Sequence, residues 1–77
     1  MKIDKNILIA TIIENQARHH MRSREAIAER LNITHRALNY RIANPGRMKV
    51  EDAAKLFEVC KFTDEQVLKV LKIGARR

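Results

Sequence analysis

The chain has 77 residues, 45% of them apolar, a single cysteine and a formal net charge of +7. That length admits one small domain, near the lower limit of what folds without a disulfide or a metal, and the apolar share excludes a disordered segment. One cysteine excludes an internal disulfide, and Cys60 in a helical, apolar setting reads as a core thiol of a reducing compartment.

Apolar residues recur at spacings of three and four with no alternating run, so every element is expected to be helical. Asp4 is a candidate N-cap for a first helix running to about Arg18. On a helical projection Leu8, Ile9, Ala10, Ile12, Ile13 and Ala17 spread over about 200°, with Ile7 outside that arc, which is more than one core face needs. The same run, broken by Thr11 and Glu14, is far too short to cross a bilayer and follows no leader pattern, so cytoplasm is the expected compartment. Ser23 caps a second helix, Arg24 to Leu31, and a tight turn follows at Asn32. Thr34 caps a third helix, His35 to Ala43, and Asn44-Pro45-Gly46 stops it, because proline disfavours helix in the residue before it. A fourth helix begins near Val50 or Glu51, with Glu51 and Asp52 at its positive end, and reaches about Cys60. Thr63-Asp64-Glu65-Gln66 is a capping box that opens a fifth helix. There Val67, Leu68, Val70 and Leu71 form the apolar face, Ile73 lies off it and Gly74 ends it. Residues 1–73 therefore read as one all-α domain of five helices, and 74–77 as a basic tail. The apolar surplus of the first and fifth helices predicts a homodimer surface on one of them, against the plainer reading that short helices are touched from two sides.

Charge is concentrated. Residues 1–15 balance to zero and 50–77 carry a net +1, whereas 16–49 hold eight cations against two anions, a net +6. All but Lys49 of those eight are arginines, whose planar fork suits phosphate and guanine edges. A merely soluble basic surface would spread its charge more evenly, so this distribution predicts a polyanionic partner.

The concentration falls on the second and third helices. Ala28 sits where two helices must touch, and Ile27, Leu31, Ile33, Leu38 and Ile42 supply a small core, with Ala37 permitting close approach. The opposite side of the third helix then presents His35, Arg36, Asn39 and Tyr40. Arginine can bond guanine O6 and N7 in bidentate fashion, and asparagine adenine N6 and N7. Arg36 and Asn39 are therefore the first candidates for base contacts in a major groove, followed by His35, Thr34 and Tyr40. Phosphate contacts are expected from Ser23 and Arg24 at the positive start of the second helix, from neighbouring Arg22, from Asn44, Arg47 and Lys49 beyond the third helix, and from Arg41 pointing sideways.

Residues 24–42 resemble the helix-turn-helix of the Cro/repressor-type (XRE-like) family of phage and bacterial regulators. The likeness rests on Ala28 at the helix contact, Leu31 before the turn, Ile33 after it and Leu38 in the third helix, and it extends through Asn44-Pro45-Gly46 and the fourth helix, over roughly residues 20–72. It implies a compact lambda-repressor-like domain with a recognition helix at about 35–43. It also implies a transcriptional regulator that binds a pseudo-palindromic double-stranded DNA operator as a homodimer in the bacterial host cytoplasm or nucleoid. Two positions depart from the pattern. Asn32 stands where glycine is usual, and asparagine tolerates the left-handed backbone. Arg24 stands where glutamine is common, keeping a phosphate role but losing the amide.

Catalysis has no support. His19 and His20 point about 100° apart on a helix, His35 and Cys60 are remote from them, and no metal-ligand spacing, phosphate loop or paired nucleophile is present. No cofactor, small-molecule substrate or membrane is expected. A competing reading is a protein-interaction module, such as an antitoxin or anti-repressor, using its apolar surplus. RNA is a weaker third option, because Phe57 and Phe62 look like core residues and only Tyr40 faces outward for base stacking.

Overall fold

The computed structural model describes residues 2–20 and 23–71. They form α1 (Lys5–Arg18), α2 (Arg24–Arg30), α3 (His35–Ala43), α4 (Val50–Val59) and α5 (Asp64–Leu71), with a 3-10 turn at Pro45–Arg47 between α3 and α4 and no strand among the described residues. The all-α, five-helix expectation holds. Arg22, Ile73, Gly74 and the basic tail at 74–77 lie outside the described residues.

Side chains close the helix starts where the sequence places them. The Asp4 carboxylate accepts from the Ile7 amide at 2.9 Å, Ser23 Oγ from Ala26 at 3.3 Å and Thr34 Oγ1 from Ala37 at 3.0 Å. In the capping box Thr63 Oγ1 accepts from the Gln66 amide at 3.1 Å, while Gln66 Oε1 accepts from the Thr63 amide at 3.0 Å. Each satisfies an amide with no partner inside its helix. α4 has no such cap; Glu51 and Asp52 in its first turn complement the dipole instead.

Two helix ends share one device. After α2, Asn32 takes a left-handed φ of 62°, its amide bonds Glu29 O, and the Ile33 amide bonds Ala28 O, each at 3.0 Å. After α4, Lys61 takes φ 57°, its amide bonds Glu58 O at 3.1 Å and the Phe62 amide bonds Phe57 O at 2.9 Å. This is the Schellman pattern. Asparagine suits the first, whereas lysine in the second costs about 1–2 kcal/mol of backbone strain. The stacking of Phe57 on Phe62, centroids 5.0 Å apart, accompanies that second turn and offsets part of the cost.

One core joins all five helices: Leu8 and Ile12, Ile27 and Ala28, Leu38 and Ile42, Ala53, Leu56, Phe57 and Cys60, and Val70, with Met48 from the connection. The first apolar face is corrected. Leu8, Thr11, Ile12 and Asn15 are the buried residues of α1. Ile7, placed outside the face by the projection, is half-buried against the core, while Ala10, Ala17 and Ile13 (58% exposed) face solvent. On α5 the face is Val70 flanked by Val67 and Leu71, and Leu68 is 47% exposed.

The reason for the rotated α1 face is Asn15. Its Nδ2 donates to the Cys60 carbonyl at 2.9 Å, to the Lys61 carbonyl at 3.3 Å and to Gln66 Oε1 at 3.1 Å, and Gln66 Nε2 returns a bond to Asn15 Oδ1 at 3.0 Å. One amide thus holds the end of α4 and the start of α5 against α1. The Asp4 amide, bonded to Val70 O at 2.9 Å, fixes the other end of α5. No helix among the described residues is long and apolar enough to cross a membrane.

Cys60 is fully buried, and burial pushes its thiol up to about 11. The neutral thiol is favoured in the fold, so its contribution is complete below the unfolded thiol's range and is lost as pH rises from about 9 toward 11. A fall in stability over that window, measured by urea titration, is expected to be shallower in Cys60→Ala. An equal fall in both proteins would refute the assignment.

Candidate nucleic-acid interface

α2 and α3 are held together by the Asn32 turn and by Ala28, only 2% exposed at their contact. Because Leu38 (0% exposed) and Ile42 (2% exposed) anchor α3 on one side, the helical repeat turns Arg36, Asn39, Ala43 and His35 the other way, and all four are exposed. Tyr40 joins them at 54%. Thr34, just before α3, is exposed, and its hydroxyl is engaged with the Ala37 amide.

Two of these side chains, Asn39 and His35, meet two from α2. Arg24 Nη1 donates to Asn39 Oδ1 at 3.0 Å across the two helices. Asn39 Nδ2 lies 3.3 Å from His35 Nε2, and His35 Nδ1 lies 3.8 Å from the Glu25 carboxylate. Glu25 is a member the sequence reading missed. No local pattern marks it, since the contact exists only through the way α2 crosses α3. Arg36 makes no ion pair among the described residues.

The phosphate candidates separate into groups. Ser23 is half-buried with its hydroxyl engaged as a cap. Arg24 is half-buried and turned onto Asn39. Arg41 is also half-buried, 3.8 Å from Asp52 of α4, so its charge is directed to its own neighbour. Asn44 Nδ2 donates to the Tyr40 carbonyl at 3.0 Å and closes the end of α3. Arg47 and Lys49, at and beyond the 3-10 turn, are exposed and make no ion pair among the described residues. Arg22 lies outside the described residues.

A groove of about 280 Å³ lies between α1 and α5, lined by Thr11, Glu14, Arg18, Thr63, Glu65, Gln66 and Lys69. Its two acids and two bases cancel, so it exerts no net pull on an anion. His19 and His20 are exposed at the end of α1, and no group of three or more His, Cys, Asp or Glu among the described residues could hold a metal. No protein-family model, no curated protein and no solved structure matches the chain.

Proposed function

We propose that this chain is a sequence-specific double-stranded DNA-binding transcriptional regulator of the Cro/repressor type, acting without catalysis in a bacterial cytoplasm. The observation that carries this reading is the division of α3: Leu38 and Ile42 are buried while His35, Arg36, Asn39 and Tyr40 face water. A helix presenting such donors and acceptors, beside exposed Arg47 and Lys49, has the chemistry to read base edges and grip phosphates. Two copies would place their third helices in successive major grooves of a pseudo-palindrome, with half-site centres about 10–10.5 bp apart.

Titration of the purified chain against mixed-sequence duplex DNA at several salt concentrations is the direct test. Affinity should fall steeply with salt; no binding even at low salt would overturn the proposal. Arg47→Ala should weaken selected and mixed sequences alike and reduce the salt slope by about 1. Loss confined to the selected sequence would remove Arg47 from the phosphate role.

A second reading has its own support. Ile13 and Leu68 are exposed apolar side chains on α1 and α5, as a protein-interaction module (an antitoxin or anti-repressor) would require. That outcome would appear as absent DNA binding.

A further inference from the structure

The side chains Arg24, Glu25, His35 and Asn39 form a chain in which the position of one proton fixes the rest. An asparagine Nδ2 can only donate. The His35 Nε2 that lies 3.3 Å from it therefore accepts, and the ring proton sits on Nδ1, facing Glu25 at 3.8 Å. Asn39 Oδ1 is meanwhile held by Arg24 Nη1 at 3.0 Å. Both ends of the amide are thus clamped, yet each keeps capacity outward: a second lone pair on Oδ1 and a second hydrogen on Nδ2. One acceptor beside one donor is what bidentate bonding to adenine needs.

We propose that His35 is a positioning residue for Asn39, its protonation state setting which way the Asn39 amide faces and hence how strongly that position prefers adenine. The proposal rests on the DNA-reading function given above. When the ring takes up a proton, Nε2–H becomes a donor and opposes Nδ2, donor against donor. The contact is recovered only if the amide turns over and offers Oδ1 to the ring. Nδ2 then confronts the Arg24 guanidinium, again donor against donor, and Arg24 is released. The charged groups around the ring act in opposite senses: Glu25 on α2 favours the imidazolium, while Arg24 on α2 and Arg36, next along α3, oppose it. Histidine is the side chain whose charge ordinarily changes between pH 5 and 8, the interval over which the contact is tested.

The test uses the whole chain and has two arms. In the free protein, the side-chain amide resonances of Asn39 are followed by NMR with the His35 ring from about pH 8 to about pH 5. The Asn39 resonances should move with the ring's titration, and His35→Gln, whose Oε1 can accept from Nδ2 at every pH, should show no such movement. In the second arm, affinity is compared between a selected duplex with adenine at the Asn39 position and one with another base there. The ratio should be about tenfold at the higher pH, collapse toward unity at the lower, and stay constant in His35→Gln. Asn39 resonances indifferent to the ring, or a ratio unchanged by pH in a protein that does bind DNA, would overturn this role of His35 alone. Coupled resonances with no DNA binding at any pH would overturn the DNA-reading function, and the base preference with it. A thermal melt of His35→Gln serves as the folding control, since His35 is exposed.

Discussion

Replacement of Asn15 by alanine should destabilise the protein by about 2–4 kcal/mol, since a buried donor or acceptor left without its partner costs about 1–3 kcal/mol. Asn15 is 1% exposed, and its amide is the shared partner of the Cys60 and Lys61 carbonyls and of Gln66. Truncation leaves the Cys60 carbonyl without its buried donor and removes both bonds that tie Gln66 to α1. In a domain of this size each kcal/mol moves the midpoint of melting by about 4–8 °C, so a drop of more than about 10 °C is expected by circular dichroism. Gln66→Ala should also destabilise, since it removes the reciprocal bond together with half of the capping box. The double variant should lose less than the two single losses combined, because both remove the same interaction. A loss under about 1 kcal/mol for Asn15→Ala, or strict additivity of the pair, would show that the amide pair is incidental to the fold.

That prediction has no counterpart in the sequence reading, and the reason is physical. Helix starts are local: Asp4, Ser23, Thr34 and Thr63 each close an amide three residues away, so residue type and spacing suffice to find them. The Asn32 turn is legible for the same reason, because asparagine tolerates a positive φ. Lys61 adopts a similar φ with no residue-type signal at all; what holds it is the pair of bonds closing α4 and the stacking of Phe57 on Phe62. Faces are less local. The projection of α1 weighed apolar residues only, so it centred on Ile9, Ile12 and Ile13 and left polar Thr11 and Asn15 out of the core. The line Leu8, Thr11, Ile12, Asn15 has helical spacing and could have been read, had a polar member been allowed. Leu68 is likewise exposed, although spacing groups it with Val67, Val70 and Leu71 on one face. In α3 the apolar and polar residues separate cleanly, and there orientation followed from spacing alone. The contacts of Asn39 with Arg24, and of His35 with Glu25, depend on how two helices cross, which no spacing within one helix encodes.

Arg36→Ala and Asn39→Ala should each weaken binding to a selected duplex by about 1–3 kcal/mol, the worth of one bidentate base contact, and they should differ in salt dependence and in their effect on mixed-sequence DNA. Arg36 is exposed and makes no ion pair among the described residues. Its loss removes a cation as well as a donor fork, so the salt slope should fall by about 1 and mixed-sequence DNA should also bind less well. Asn39 carries no charge, and it occupies Arg24. Its truncation frees that guanidinium for phosphate, so mixed-sequence affinity should hold or rise while preference at one base position disappears. Neither change touches Leu38 or Ile42, and as surface substitutions both should leave stability within about 0.5 kcal/mol. Binding curves on selected and mixed duplexes at two salt concentrations separate these effects. Identical losses on both duplexes for both variants would mean that α3 contributes charge and no readout. Unchanged binding in both would place the DNA-contacting surface elsewhere than on α3.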